Sequence, residues 1–288
     1  MSGMSVLREI ARRLLGEEKA RRVWKRIDVV GDIAIMKMPI HGEISIEEMQ
    51  LLAEEVLRAL PSVNSVWLAG GPVEGRFKTR KSLIHLAGER RTETVYREHG
   101  CEFKVDIARV FITPRLSFEH LRIARLVEPG EVVVNMFAGV GIFSILIARK
   151  SRAALVYSID VNPEAYRLMV ENVRINRVED RVIPILGDAA SVVSSRLQGV
   201  GTRVLMPLPD LSLDYIPYAL RALRGEGWIH VYLHLSHEKR KSHLEKAEKL
   251  VDEMVRKEGW RIVESKSREV RSVGPRLVQV VVDALVSR

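Results

Sequence analysis

The spacing of apolar residues changes along the chain and predicts three regions. Residues 1–26 are predicted to form one amphipathic helix, because apolar residues recur there at helical spacing, namely Leu7, Ile10, Ala11 and Leu14. In residues 27–108 the apolar runs shorten. There DVVGDIAIMKMP and VNSVWLAG have the pattern of strands, and ISIEEMQLLAEEVLRALP between them has the pattern of a helix. This middle region is predicted to be a small α+β domain.

Residues 109–288 change to continuous apolar strands that alternate with helices. The strand candidates are VVVNMFA, LVYSID, RVIPILGD, RVLMPLP and WIHVYLHL, and the helical stretches include GIFSILIARK, NPEAYRLMVENVRIN and LDYIPYALRALRGEG. Strands that are apolar throughout are typical of a parallel sheet with helices on both faces. The region is therefore predicted to be α/β, and its tail, WRIVESKSREVRSVGPRLVQVVVDALV, to supply a closing antiparallel pair.

Composition narrows the class of protein. The 288 residues are 47% hydrophobic, enough for one large domain or two ordinary ones. With 46 Lys+Arg against 37 Asp+Glu, the net charge of +9 favours a polyanionic partner, although a heavily charged thermophilic surface is an alternative. No membrane-spanning run or signal-peptide layout is found, so we expect a cytoplasmic protein without a membrane partner. The single Cys101 leaves too few thiolates for a cysteine zinc site, and we expect no metal.

Two basic segments are candidates for RNA contact. Residues 76–81 read RFKTRK, in which four of six residues are basic and Phe77 is interleaved, as phosphate contact with base stacking requires. The N-terminal helix has a basic face made of Arg8, Arg12, Arg13, Arg21, Arg22, Lys25 and Arg26. In both segments the alternative is a charged surface that is merely solvated.

Three successive strand ends carry residues expected around a nucleoside cofactor. The first strand runs into Gly139-Val140-Gly141 and a helix, where glycines allow a sharp turn and close approach of a ligand. The next strand ends at Asp160, which can accept hydrogen bonds from both ribose hydroxyls or, alternatively, cap the following helix. The third ends at Asp188, placed to meet an adenine amino group. Tips of parallel strands meet at one edge of a sheet, so these residues are expected to form one cleft.

The identity of the cofactor follows from what the glycine loop lacks. Three residues after Gly141 stands Ser144 rather than glycine, which disfavours a dinucleotide, and no P-loop motif exists. S-adenosylmethionine (SAM), which has a ribose and an adenine but no phosphate, fits better. The predicted cofactor-binding residues at the first three strand tips are Phe137, Ala138, Gly139, Val140, Gly141, Asp160, Val161, Asp188 and Ala189.

The combination of PRLS, FAGVG and IDVNPEAY resembles the archaeal and eukaryotic tRNA (guanine-37-N1)-methyltransferase family, over most of the chain from about Ile27. The resemblance implies a class I Rossmann-like methyltransferase domain, with a mostly parallel seven-stranded sheet, joined to a smaller N-terminal α+β domain that contacts RNA. It also implies SAM as cofactor, the anticodon stem-loop of tRNA as partner, and methylation of N1 of guanine 37. We expect an archaeal enzyme that acts as a monomer.

The resemblance also assigns the reacting groups. N1 of guanine carries a proton, so its methylation needs a base within hydrogen-bond reach and a cation near O6. The family's base is a glutamate after the PRL motif, here Glu119. Alternatively, Glu119 is an acid near a helix start that pairs with Arg122 or Arg125.

The cation is expected from the preceding domain. The family has an arginine there, and RFKTRK offers Arg80 or Lys78. Arg115 of the PRL motif is expected to hold a substrate phosphate or to organise its loop.

Several positions depart from the family pattern. The largest departure follows the fourth strand, where the family has Asn-Leu-Pro or Asn-Pro-Pro and this chain has Pro207-Leu208-Pro209. Asparagine can donate and accept at the target base, whereas proline offers only its carbonyl. We expect Pro207 and Leu208 at the cofactor's reactive end, in an extended loop with available carbonyls. The other departures are Asn135 for aspartate, Ile142 for proline, His120 for arginine and Phe111 for an aromatic that can carry a hydroxyl.

These departures leave two competing functions. One is the related wybutosine-pathway aminocarboxypropyltransferase, which uses the same cofactor but usually has PAN where this chain has PRL, so Arg115-Leu116 favours methyl transfer. The other is a tRNA-binding paralogue with impaired catalysis, suggested by the changes around the pocket.

Overall fold

The computed structural model of the chain describes residues 6–39, 44–71, 82–236, 242–274 and 276–288. The chain folds as two units, Met1–Pro114 and Arg115–Arg288. Their boundary falls inside the PRL motif, whose residues Pro114–Leu116 form a 3-10 turn. The functional division predicted above, into 1–26, 27–108 and 109–288, stays a prediction.

The first unit is an α+β fold, whose elements in chain order are α1 (Val6–Arg22), β1 (Asp28–Val30), β2 (Ile33–Lys37), α2 (Ile46–Ala59), β3 (Ser65–Ala69), β4 (Leu83–Gly88), β5 (Glu93–Glu98) and β6 (Cys101–Asp106). Strands β1 to β4 form one sheet in that order, and β5 and β6 form a separate hairpin. Strands β2 and β3 are parallel, so they need a crossover, which α2 provides. Helix α2 begins at a capping box in which Ser45 and Glu48 each bond the other's backbone.

Helix α1 differs from the predicted one in length and shape. It ends at Arg22 and is kinked at Gly16. Its buried apolar residues share a core with α2 and the sheet. Of the predicted basic face, Arg13 pairs with Glu55 of α2, and Lys19, outside that face, pairs with Glu48. RNA contact by the basic face stays a prediction.

The second unit is α/β, with the elements α3 (Ser117–Leu126), β7 (Val132–Asn135), α4 (Ile142–Lys150), β8 (Leu155–Asp160), α5 (Pro163–Ile175), β9 (Val182–Leu186), α6 (Ala189–Arg196), β10 (Gly201–Met206), α7 (Ile216–Ala222), β11 (Leu223–Ser236), α8 (Ser242–Lys257), β12 (Arg261–Gly274) and β13 (Leu277–Ser287). Its seven strands are ordered β12-β13-β11-β10-β7-β8-β9. The five strands from β11 to β9 are parallel, and β13 is antiparallel to both its neighbours. The predicted mostly parallel sheet is confirmed, with the predicted antiparallel pair at its end.

The two faces of this sheet differ in polarity. Successive residues of a strand point to opposite faces. Apolar residues such as Val204 and Val282 join α6, α7 and α8 in one large core. The opposite face carries buried polar residues, including Arg203 and Asp283, and α3 lies on it, because Arg122 of α3 bonds Asp283. The two faces of the sheet therefore bury different kinds of side chain.

The helix predicted for residues 213–227 is wrong at both ends. Helix α7 covers only Ile216–Ala222, and the residues before it form turns. After it, Leu223 already pairs with Gly201 of β10, so β11 begins there. Pairing with a neighbouring strand therefore overrides the helical pattern of the sequence. Among the described residues, no helix is both long and apolar enough to cross a membrane.

Candidate active site

The loop after β7 has the backbone geometry that its glycines predict. Gly139 and Gly141 have φ values of 56° and 91°, a region that favours glycine. A Cβ at Gly139 would meet no atom within 4 Å, so this point of the loop faces open space. The N–H of Gly139 donates to Asp160 at 2.7 Å. Helix α4 then starts without a side-chain cap, which leaves its first N–H groups for a ligand or water.

Asp160 is fixed at the tip of β8 by two backbone donors. One carboxylate oxygen accepts from Gly139 and the other from the N–H of Asn162 at 2.9 Å. Burial raises the pKa of Asp160, although these backbone hydrogen bonds oppose the rise. The cap of α5 is Asn162, whose side chain accepts from Glu164 at 3.0 Å. The alternative that Asp160 caps this helix is therefore wrong.

Asp188 at the tip of β9 joins three elements. One of its oxygens caps α6 by accepting from the N–H of Ser191 at 3.1 Å. The other accepts from the hydroxyl of Tyr215 at 2.8 Å, and the Tyr215 ring lies edge-on to Phe137 with ring centroids 5.1 Å apart. Tyr215 thus connects the tips of β7 and β9. Sequence analysis missed it, since nothing local marks this tyrosine.

The remaining predicted cofactor residues lie at the same three tips. Ala138 and Val140 are buried in the glycine loop, and Val161 and Ala189 follow the two acids. Asn135 is also buried, and its side-chain amide donates to the hydroxyl of Ser144 at 3.1 Å. This bond ties the end of β7 to the first turn of α4, so asparagine fits this position.

The residues present fit SAM. The tips supply two carboxylates that can accept from ribose hydroxyls and an adenine amino group, together with open space at Gly139. These are acceptors for a nucleoside rather than cations for phosphates. Within the described residues, no group of three or more His, Cys, Asp or Glu side chains could hold a metal ion.

The fourth strand tip differs from its prediction. Strand β10 ends at Met206, beside β7, since Leu205 pairs with Asn135. The chain then turns instead of staying extended, and the buried hydroxyl of Ser212 lies 2.6 Å from the carbonyl oxygen of Met206 and 2.9 Å from that of Leu208. A buried hydroxyl needs an acceptor, and Ser212 finds it here. The prediction of an extended loop with available carbonyls is wrong at Leu208, whose carbonyl oxygen Ser212 contacts, while Pro207 is half-buried.

Glu119 lies in the first turn of α3 and is 2% exposed. Arg122 donates to both of its oxygens, at 2.7 and 2.9 Å. Tyr232 of β11 donates its hydroxyl to Oε1 at 2.7 Å, and Arg268 of β12 donates to Oε2. The alternative in which Glu119 pairs with Arg122 is confirmed, whereas Arg125 is exposed. A base role for Glu119 stays a prediction.

A hydrogen-bonded network of buried charged and polar side chains holds Arg122 in place. Arg122 donates to Asp283 at 2.6 Å, and Asp283 contacts Nδ1 of His230 at 2.5 Å. Nε2 of His230 lies 2.7 Å from Nη1 of Arg203. Burial, with the nearby arginines, lowers the pKa of His230, so the neutral ring accepts from Arg203 and donates to Asp283. Burial alone would raise the pKa of Asp283, but His230 and Arg122 hold it well below its usual range.

Aromatic contacts connect Glu119 to the glycine loop. The Tyr232 ring lies 6.1 Å from that of Phe143, and the His120 ring lies 4.5 Å from it. Phe143 is the second residue of α4, directly after the loop. The carboxylate of Glu119 is therefore two side chains away from the start of the cofactor-binding helix.

The structure describes less about the remaining predicted site residues. Lys78 and Arg80 lie outside the described residues. Arg115 is half-buried in the 3-10 turn and has interaction partners of its own. Sequence analysis missed Tyr232, Arg268 and Asp283, which come from the last third of the chain and reach Glu119 only through the fold.

A mostly parallel sheet with a glycine loop at one strand tip and acids at the next two defines a class I SAM-dependent methyltransferase. Residues 94–263 match the TRM5/TYW2 methyltransferase domain. The chain belongs to this family, and it is a SAM-dependent tRNA methyltransferase.

The chain is similar to two tRNA methyltransferases that are named for different bases at position 37. It is 41% identical over 210 residues to the tRNA 4-demethylwyosine(37)-methyltransferase Taw21 of Saccharolobus solfataricus, covering 73% of this chain and 78% of the relative. It is 36% identical over 276 residues to the tRNA (guanine(37)-N(1))-methyltransferase Trm5b of Pyrococcus abyssi, covering 94% of this chain and 78% of the relative.

Solved structures agree with this family. The structure of aTrm5 in complex with tRNALeu matches with a TM-score of 0.82 and 33% identity, covering 97% of this chain and 77% of that chain. The structure of Methanocaldococcus jannaschii TYW2 in complex with AdoMet matches with a TM-score of 0.69 and 26% identity, covering 91% of this chain and all of that one, 100%.

Proposed function

We propose that this protein methylates N1 of guanine 37 in tRNA, with SAM as the methyl donor. The observation that carries the proposal is the place of Glu119, a buried carboxylate linked through Tyr232 and Phe143 to the helix that follows the glycine loop. A base is needed beside the methyl donor, because N1 of guanine must lose a proton. The similarity to Trm5b over 94% of this chain supports the same target.

SAM, when bound, supplies a methyl group on a sulfonium, which mainly needs alignment. Asp160 and Asp188 hold the nucleoside part by accepting hydrogen bonds. Glu119 would accept the proton that N1 loses when it is methylated. Arg122 and Tyr232 hold the carboxylate in place for that transfer.

The remaining predicted residues act on the tRNA. Loss of the N1 proton places negative charge on O6, and a cation there stabilises it. Lys78 or Arg80 is the proposed source of that cation, and Arg115 is proposed to hold a phosphate of the anticodon stem-loop. Pro207 and Leu208 are proposed to border the target base. The proposed acting form is a monomer in the cytoplasm.

A second candidate target is 4-demethylwyosine at position 37. Taw21, at 41% identity, is named for that base. Pro207 also supports it, because this position lacks the asparagine amide that the resemblance places at guanine. Both candidates use the same cofactor and the same tRNA position, so they differ only in the base that the pocket accepts.

The two targets are separated by giving the purified protein SAM with three tRNAs that differ only at position 37, which carry guanosine, adenosine or 4-demethylwyosine. Nucleosides are then identified by mass spectrometry. We expect methylated guanosine from the first tRNA and no product from the second. Methylation of 4-demethylwyosine alone would establish the second candidate. Gain of an aminocarboxypropyl group would indicate the neighbouring branch, and saturable tRNA binding without any product would indicate an impaired paralogue.

A further inference from the structure

Glu119 has no vacant acceptor position in this structure. A carboxylate offers about four lone-pair positions. On Oε1 they are taken by Arg122 and by the hydroxyl of Tyr232, and on Oε2 by Arg122 and Arg268. A carboxylate in this state cannot also accept a proton from a substrate base. One of its three partners must therefore leave before Glu119 can act as a base.

Two of the three partners are firmly held. Arg122 donates to Asp283 with two of its other N–H groups, at 2.6 and 3.1 Å, so it is anchored on both sides. Tyr232 is 1% exposed and lies against Phe143. Moving either side chain would leave buried polar groups without partners, which is costly.

Arg268 is held less firmly. Its side chain is 29% exposed, and its strand, β12, is an edge strand with a register shift between Glu269 and Arg271, directly after it. Its guanidinium also lies 5.4 Å from the ring centroid of Phe118, a residue that is 69% exposed. Arg268 can therefore leave the carboxylate and keep both water and an aromatic partner.

We propose that Arg268 is the exchangeable partner of Glu119, and that the target base displaces it from Oε2 when the tRNA binds. The released guanidinium stays over Phe118, beside the bound base, where it offsets negative charge. An aromatic ring and a guanidinium plane are also surfaces on which unpaired bases stack. This inference rests on the proposed function, since it requires Glu119 to take the proton of the base.

The exchange predicts that Arg268 acts differently in the free enzyme and in the complex with tRNA. In the free enzyme Arg268 occupies Oε2 of Glu119 and the target base must displace it, whereas in the complex the base has already taken its place. The titratable and charged groups that face Glu119 from the neighbouring elements are Arg122 and His120 on α3, Tyr232 and His230 on β11, Arg268 on β12 and Asp283 on β13. Of these groups, the proposal moves only Arg268.

The test is single-turnover methylation of tRNA at neutral pH by the full chain and by Arg268→Met, over a range of enzyme concentrations. The enzyme concentration that gives half the maximal rate reports formation of the complex, and the maximal rate reports the reaction within it. For Arg268→Met we expect the half-saturating concentration to fall several-fold, because the base no longer has to displace a charged partner from Oε2. Lys266→Met, an exposed cation on the same strand, is the matched control and should not lower that concentration.

An unchanged half-saturating concentration for Arg268→Met would show that the base does not displace Arg268, and a raised one would show that Arg268 helps to bind the tRNA; both results overturn the proposal. Arg268→Lys, which keeps the charge, should restore the wild-type half-saturating concentration, and SAM affinity confirms that each variant is folded. Full activity of Glu119→Gln in the same assay would instead remove the base role. A wild-type chain that methylates neither candidate base would contradict the proposed function, and with it this exchange.

Discussion

The cofactor end and the base end of the second unit are held together by different kinds of contact. At the cofactor end the bonds join residues at most 27 positions apart: Asp160 accepts from a residue 21 positions earlier and from one two positions later, and Asp188 from residues three and 27 positions later. At the base end Glu119 bonds residues 113 and 149 positions away, and Arg122 bonds one 161 positions away. One active site can therefore combine residues that are close in the sequence with residues that only the fold brings together.

The two ends also differ in the free energy that burying their polar groups costs. The acids at the strand tips are held largely by backbone N–H groups at half-buried positions. The base end buries Glu119, His230, Arg203 and Asp283, whose desolvation is offset only while every member of the set has its partner. Substitutions at the base end should therefore cost more than those at the cofactor end.

The largest effect is expected for Glu119→Gln. Removing a general base lowers rates by about 10²–10⁴-fold, and the single-turnover methylation rate should fall by that order. The affinity for SAM, measured by calorimetry, should stay nearly unchanged, because the cofactor residues lie on other elements. Loss of both properties together would show that Glu119 supports the fold rather than the reaction.

Asp283→Asn should destabilise the protein by about 3–5 kcal/mol, because it removes one of the two buried counter-charges of Arg122 and the charged partner of His230. The measurement is urea unfolding at neutral pH. The matched control is Asp252→Asn on α8, where Arg256 and Asp252 are paired with side chains 72% and 33% exposed. A pair exposed to that extent contributes only about 0–1 kcal/mol. Similar losses in the two variants would contradict the contrast drawn between buried and exposed pairs.

Asp160→Ala should weaken SAM binding by about 10–100-fold, since a hydrogen bond to a charged group contributes about 1.5–3 kcal/mol. Titration calorimetry measures it, with the exposed Asp180→Ala as control. Because burial raises the pKa of Asp160, wild-type binding should also start to weaken at a higher pH on acidification than an ordinary aspartate would allow. Unchanged affinity in Asp160→Ala would exclude it from the ribose contact.

His230 should make stability depend on pH. Its folded pKa is lowered, so below a pH of about 6.5 the unfolded chain binds a proton that the folded chain does not. Stability is therefore complete above that pH and falls as pH decreases, by up to about 1.4 kcal/mol per pH unit. His230→Gln should remove this slope in urea unfolding between pH 6.5 and 5. An unchanged slope would assign the acid sensitivity to another group.

The smallest effect is expected for Tyr215→Phe, which removes one donor to Asp188 and keeps the ring against Phe137. A single hydrogen bond contributes about 1 kcal/mol, so SAM affinity should fall about fivefold. Tyr218→Phe, a neighbouring ring whose hydroxyl has no such role, is the control. No change in Tyr215→Phe would mean that the cap of α6 alone positions Asp188.

The accuracy of the predictions from the sequence follows the same contrast between near and distant contacts. Periodicity predicted the strands of the parallel sheet, and the glycines and acids at their tips were predicted from position alone. The helix over residues 213–227 failed because Leu223 pairs with β10, and the extended loop failed because the chain turns at Leu208, whose carbonyl Ser212 contacts. Neither contact leaves a local signal. For Glu119, the sequence left two roles open, a catalytic base and a member of an ion pair. It did not predict that Tyr232 and Arg268 are its partners.

The sequence by itself determined the order of strands and helices, the sharp turn at Gly139 and Gly141, and the acids at Asp160 and Asp188, since each depends on neighbours along the chain. Only the tertiary structure decided what surrounds Glu119. Strand β13 inserts between β11 and β12, and this order brings Asp283, Tyr232 and Arg268 onto one face beneath α3. The order of strands depends on how the whole sheet packs, and this order decides which charged side chains surround the buried Glu119.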